Sequence, residues 1–442
     1  MRALREASPA ALVLTCAVPF VFLHTHYQPH LAVGQVDADL TDFAILAAVL
    51  AGLWSGVRDG WRPLASERIV WALLAAFMAL LVASVVWAHA YDAGYSVSSN
   101  LVSAAKFVEY ALLAPAAALA LRRPEDRRVF FWAVALWSAV MTAIGVLQFV
   151  GALDQFRGNH PVDREPSYLG EHDFGSFSGA ALSLAFASLL LGGRRLLAWV
   201  GGVAGGLGVA LAAAIDALGG IAVTAVALWA LARTRGPVGA RRTLALAGIV
   251  ALVAIGAVSL RGHAVAAFMR FLGVQKNNEA TSGQVQTWGQ RVLLGYIGLE
   301  IWLHHPIAGV GWQESKRPKA FNPFLAAARR HFGRKQPPEA FPSPQHEWGV
   351  QNGVLQVLAD LGAIGLLLLV ALVVAALRPI VHVARRGPPA LAWEALVVCG
   401  WLLVGLAVFT GTGLIAGNKE NAQIWLAIGL GAALNHSLTR RE

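Results

Sequence analysis

The chain has 442 residues, 57% of them hydrophobic and only 14% charged, and a formal net charge of +10. Soluble domains carry about 25% charged residues, and apolar runs of about 18 residues or more recur along the whole length, so composition excludes an ordinary soluble protein and implies a polytopic all-α membrane protein. Most Lys and Arg sit in short clusters between apolar runs, which is a topology signal; the expected partner is the lipid bilayer, not nucleic acid.

Twelve spans are predicted, near 8–25, 39–56, 69–90, 99–121, 129–149, 174–192, 196–214, 215–232, 243–260, 353–377, 391–413 and 421–437. Each must be helical, because an unpaired backbone group in hydrocarbon costs several kcal/mol. The first is too long for a signal peptide and lacks a small-residue cleavage site. With the N-terminus inside (Arg2, Arg5), the inside loops hold Arg58, Arg62 and Arg68, then Arg122, Arg123, Arg127 and Arg128, then Arg194 and Arg195. Arg233, Arg235, Arg241 and Arg242 follow, then Arg378, Arg385 and Arg386, and finally Arg440 and Arg441. The short outside loops near 26–38 and 91–98 hold no Lys or Arg. The positive-inside rule therefore predicts a multi-pass protein of the cytoplasmic (inner) membrane with both termini cytoplasmic. Cys16 and Cys399 fall in apolar spans, which argues against a disulfide framework or a cysteine metal site. The chain reads as a single membrane domain, 1–442, with no soluble appendage and no internal repeat.

Two outside segments interrupt this frame. Residues 150–173 carry Arg157, His160, Arg164, Glu171, His172 and Asp173. Residues 261–352 form a large, partly helical extracytoplasmic loop with eleven Lys or Arg against five Glu and no Asp, a net charge of about +6. Long loops escape the positive-inside rule, so topology does not account for that excess. Within it, Ser282 to Leu303 reads as a helix with Trp288, Val292, Leu293, Ile297, Ile301 and Trp302 on an apolar stripe. His304-His305-Pro306 ends it, and Gly309-Val310-Gly311-Trp312 makes a tight turn. The basic, proline-rich stretch 314–345 reads either as a flap over a cavity or as disorder.

The candidate residues lie near these segments. Arg291, on the polar side of the loop helix, suits bidentate binding of a phosphate or pyrophosphate if the helix meets the membrane surface; otherwise it is a solvated or snorkelling charge. His346 is a candidate general base, or an interfacial histidine beside Trp348. Gln351 and Asn352 open the tenth span, where backbone N–H groups favour an anion and Asn352 also suits an N-cap. Arg164 and His172 precede the sixth span, where Asp173 suits an N-cap. Lys106 and Glu109 are expected to neutralise each other at i,i+3, and Asp216 is a lone acid near a span boundary. No P-loop, no G-x-S-x-G and no metal-binding spacing is present, so neither a cofactor nor a metal is expected.

These residues resemble the O-antigen ligase and O-antigen polymerase superfamily of bacterial envelopes. Arg291 through Trp312, with His305-Pro306-Ile307-Ala308-Gly309-Val310-Gly311, is similar to that family's run of an Arg, a helix, a His-Pro and a Gly-Val-Gly. Gln351 through Gly365 resembles its segment of His-Asn, Leu-Gln and spaced glycines, and Arg164 to Phe174 its approach to the middle of the chain. The resemblance implies a GT-C-type, metal-independent glycosyltransferase. It also implies a polyprenyl-pyrophosphate-linked glycan as donor, a hydroxyl on a glycan, lipid or protein as acceptor, and transfer on the outer face of the cytoplasmic membrane. On that reading Arg291, His346 and Gln351 are the catalytic candidates, and Arg157, Arg164, His172 and Asn352 the substrate-binding ones. The chain departs from the pattern twice. Gln351 stands where the family usually has His, and since glutamine cannot act as a general base, either His346 substitutes or the activity is altered or lost. Asp216-Ala217-Leu218-Gly219-Gly220 carries no Arg where the family has one opening the eighth span. The rival readings are a transporter, which predicts broken helices in two related halves, and a non-catalytic glycan-binding relative.

Overall fold

The computed structural model describes residues 5–24, 27–33, 36–153, 167–274, 285, 287–413 and 419–440. Helices stand at all twelve predicted spans: α1 (Pro9–Phe22), α2 (Leu40–Asp59), α3 (Arg68–Tyr91), α4 (Val97–Ala111) with α5 (Leu113–Ala120), α6 (Pro124–Phe149), α7 (Glu171–Leu191), α8 (Arg195–Ala212), α9 (Ile215–Arg233), α10 (Ala240–Leu260), then α14 (Gly353–Arg386), α15 (Pro389–Gly411) and α16 (Lys419–Thr439). Ten of these, counting Val97–Ala120 as one, are long and apolar enough to cross a membrane; α1 is a shorter apolar helix and α16 is not among the ten. Between α10 and α14 lie α11 (Gly262–Phe271), α12 (Thr287–His304) and α13 (Pro318–Phe332). A two-stranded antiparallel hairpin, His30–Val33 with Val36–Asp39, occupies the predicted outside loop 26–38.

Local chemistry accounts for the interruptions. Pro115 has no N–H for the Ala111 carbonyl, and the helix parts there into α4 and α5. Only Ala213 and Ala214 separate α8 from α9, with Ala213 at φ 49. Gly201 and Gly205 let α8 settle against α7 so closely that a Cβ at Gly205 would collide with the Ser178 and Leu182 backbone, the small-residue packing expected where lipid gives helices no hydrophobic incentive to associate.

The arginine-bearing ends of the helices meet one another. Ser8 N–H donates to Asp126 at 2.7 Å, and Arg127 reaches Ser437 at 3.0 Å and Glu394 at 2.7 Å. Several of these arginines also donate to the orphaned carbonyls at helix C-termini. Arg122 caps α2 through Ser55, Asp59 and Gly60 at 3.0–3.2 Å, Arg242 bonds Leu190 on α7 at 2.9 Å, and Arg235 bonds Ala384 and Arg385 on α14 at 2.9 and 3.0 Å.

At the opposite end, the region 287–352 has its own apolar core: Leu293, Leu294, Ile297 and Ile301 of α12 pack with Phe321 and Ala328 of α13, and with Val310, Phe341 and Val350. Two expectations are corrected here. Val292 faces outward, 45% exposed, and Leu294 takes its place in the stripe. The stretch 314–345, read as flap or disorder, contains α13; Pro318 sits at its start and Pro323 within it, while Ala320, Phe321 and Ala328 face inward.

The tenth predicted span is also not one continuous helix. Gly362 breaks α14 at φ 65, ψ −165, and the loop after α12 fills the break. Ala363 and Ile364 donate to Pro306 and Ile307 at 2.8 and 3.2 Å, while Val310 and Gly311 donate to Ala359 and Asp360 at 2.9 and 2.7 Å. Every one of these broken-helix groups is paired, as a low-dielectric surrounding demands. The Asp360 carboxylate then accepts Gln313 N–H and Ser315 N–H, both at 3.1 Å. Trp312 is fully buried between α3 and α4: its N–H donates to Ser84 at 3.0 Å and its carbonyl accepts Tyr95 OH at 2.6 Å.

Glu314 is buried beside this anchor, 3.5 Å from Arg317, which lies 3.4 Å from Asp92. Burial outweighs the arginine and lifts its carboxyl to about 8, with Asp92 adding to the rise. The folded chain therefore holds a proton that an unfolded Glu releases above about 4.5, and stability from this group falls as pH rises towards about 8. The melting temperature of the wild type is expected to fall as pH rises over that interval, and Glu314→Gln to flatten the slope. A Glu314→Gln protein with the wild-type pH dependence contradicts this.

Candidate functional site

Three segments distant in sequence meet at the end of the bundle away from the arginine clusters. The first is the start of α7, approached through Ser167, Tyr168 and Gly170 at φ 72, 55 and 87. Gly170 is its N-cap, which places His172 and Asp173 in the first turn and corrects the N-cap expectation for Asp173. The second is the start of α9, whose first turn carries Asp216. The third is α12, which carries Arg291.

Asp216 is not a lone acid. Its Oδ2 lies 2.8 Å from His172 Nδ1, and its Oδ1 accepts Ala217 N–H at 2.9 Å. His172 Nε2 in turn lies 2.9 Å from an Arg291 terminal nitrogen, and the Arg291 guanidinium sits over the Trp288 ring, 4.9 Å from its centroid. The Asp216 side chain is 5% exposed and His172 27% exposed, so the chain of contacts runs from a sheltered carboxylate to an accessible imidazole. A guanidinium only donates, in a planar fork matched to phosphate oxygens.

The start of α14 borders the same place through α15. Asn352 accepts Leu355 N–H at 2.9 Å as the N-cap and donates Nδ2–H to the Thr410 carbonyl at 2.7 Å. The next residue, Gly411, lies so near Asp216 that any Cβ would strike its carboxylate. Gln351, just before the cap, is half-buried with φ 51, uncommon for a non-glycine residue. His346 is exposed, stacked on Trp348 at 5.8 Å, in a short bridge with Ser343. The structure thus joins Arg291 to His172, ties Asn352 to them through Thr410 and Gly411, and places His346 on the exposed loop before α14. Arg157 and Arg164 lie outside the described residues.

A second charged cluster borders Asp173. Lys419, buried at the start of α16, lies 2.8 Å from Tyr110 OH and 3.3 Å from Thr41 Oγ1, and Asp173 acts on it electrostatically. Lys106 lies 3.1 Å from Asp42 and 3.7 Å from Asp39, so it pairs across helices and not with Glu109 as expected. Lys419 is the charged residue the sequence reading missed; a lysine opening the last apolar run was the available signal. Among the described residues, no group of three or more His, Cys, Asp or Glu could hold a metal ion.

Gly411→Ala is expected to push the Asp216 carboxylate off His172, at an overpacking cost of about 1–3 kcal/mol. A lowered melting temperature in detergent checks it; a melting point equal to wild type contradicts the tight approach. No protein-family model matches the chain, and no curated protein matches it.

Proposed function

We propose that this protein transfers a glycan from a polyprenyl-pyrophosphate carrier to an acceptor hydroxyl on the outer face of the cytoplasmic membrane, as a relative of the O-antigen ligases and polymerases. The frame in this reading is twelve spans with both termini and the arginine clusters cytoplasmic. The observation that carries it is Arg291, a cation seated on Trp288 and His172 at the opposite end of the bundle. As the glycosidic C–O bond breaks, negative charge builds on the pyrophosphate, and a guanidinium brought onto it in a sheltered site stabilises that charge.

The basic excess of residues 261–352 raises the local concentration of the anionic donor. A narrow apolar cleft among Phe77, Phe107, Leu372, Leu406, Phe409 and Trp425, next to the Asn352 turn because the Phe409 ring abuts Gly353, would have to widen to admit the prenyl chain. The interlock of 306–311 with 359–364 supports treating the two motif segments as one unit.

The broken helix α14 favours one rival, since transporters use broken helices at binding sites. Here loop backbone fills the break instead of leaving it open to a ligand, which weighs against transport. The test is purified protein in lipid, given polyprenyl-pyrophosphate-linked oligosaccharide with and without candidate acceptors. A ladder of lengthened lipid-linked glycan marks a polymerase and a single transfer a ligase. Donor recovered intact with every acceptor overturns the proposal.

A further inference from the structure

We propose that His172, set by Asp216, is the general base that takes the acceptor's proton, and that Arg291 covers it until the donor's pyrophosphate draws the guanidinium away. This rests on the glycan-transfer reading. Arginine has no acceptor atom, so the 2.9 Å contact puts a lone pair on His172 Nε2 and the ring proton on Nδ1, 2.8 Å from Asp216 Oδ2. A carboxylate that fixes the Nδ1–H tautomer and steadies the imidazolium formed later is how histidine bases are oriented elsewhere. Asp216 is itself held by Ala217 N–H and by the close approach of Gly411. His346, the base expected from sequence, is exposed on the loop and stacked on Trp348.

The guanidinium binds a phosphate oxygen more strongly than a neutral imidazole, because the first bond is between opposite charges. Donor binding therefore turns the Arg291 fork towards the pyrophosphate and bares Nε2. The acceptor oxygen then forms its bond to the anomeric carbon as the bond from that carbon to the pyrophosphate oxygen breaks. The hydroxyl proton moves to Nε2, the electron pair leaves with the polyprenyl pyrophosphate, and the imidazolium afterwards releases its proton to water. Among the described residues, the charged groups acting on the imidazole are Glu171 on its own helix, Asp216 on α9 and Arg291 on α12; the adjacent Asp173 acts on Lys419 of α16. His24 lies against the Gly170 turn just before it.

The experiment is the pH profile of kcat for the wild type, His172→Gln and Asp216→Asn in lipid, with lipid-linked oligosaccharide and acceptor. His172→Gln is expected to lose about 10²–10⁴ in kcat, the span of general-base catalysis, with the donor KM near the wild-type value. Asp216→Asn is expected to move the acid limb to lower pH, because the carboxylate no longer favours the imidazolium. This second variant keeps the test decisive if His172→Gln does not fold. Wild-type turnover in His172→Gln, or an unmoved acid limb in Asp216→Asn, overturns the assignment. So does an acid limb that disappears in His346→Gln and persists in His172→Gln. Those results leave the transfer reading standing, whereas a wild type that transfers nothing overturns both.

Discussion

Replacing Arg291 by alanine is expected to abolish glycan transfer while leaving the protein folded. The loss should be at least the two to three orders of magnitude, roughly, that follow removal of one donor aimed at developing negative charge. Structural damage should be small, because α12 is anchored by Leu293, Leu294, Ile297 and Ile301, on positions Arg291 does not share, and alanine is a better helix former than arginine. Arg291→Lys should recover little. A lysine brings the charge but not the planar fork, and it loses much of the stacking over Trp288. The measurement is transfer by each purified variant, beside its melting profile. Full activity in Arg291→Ala removes this residue from the mechanism.

Glu394→Ala is expected to have the largest effect on stability. The Glu394 carboxylate is buried and holds two arginines, Arg127 at 2.7 Å and Arg194 at 2.6 Å. Arg127 is fully buried, and its side chain also donates to the Leu121 and Arg122 carbonyls and to Ser437. The carboxylate therefore joins the arginine-bearing ends of α6, α8 and α15, and through Ser437 of α16. Without it a buried guanidinium loses its counter-charge, a change that costs about 3–5 kcal/mol, much of a typical domain's net stability. Glu394→Gln keeps an acceptor and should be milder. Exchanging both Glu394 and Arg127 for apolar residues of similar volume should recover part of the loss, because the orphaned charge leaves with its partner. Melting profiles in one detergent check this; Glu394→Ala melting with the wild type contradicts it.

The helical frame was legible because each predicted helix is a long apolar run with arginines at one end. The break in α14 was not. Glycine is ordinary in an apolar helix, and what selects a break at Gly362 is the loop backbone at 306–311, about 50 residues earlier in the chain. Helix α13 was hidden by Pro318 and Pro323: the first stands at its start, where proline is tolerated, but the second lies inside it, where proline usually breaks a helix. Arg291 and His172 were each visible as polar residues beside apolar spans. Their junction was not, since 119 residues separate them, and Asp216 reaches His172 from a third segment. Residue spacing carries no information about contacts of that kind. Lys106 shows the converse: a neighbour at i+3 offered a partner, and the fold supplied Asp42 from another helix.

The most direct measurement is the release of free polyprenyl pyrophosphate by wild-type protein in proteoliposomes supplied with lipid-linked oligosaccharide and acceptor. The account predicts one carrier pyrophosphate released per glycan transferred, without added metal, and none from Arg291→Ala. Donor that stays intact, or that crosses the bilayer unchanged, contradicts a transferase and favours a carrier or a binding protein.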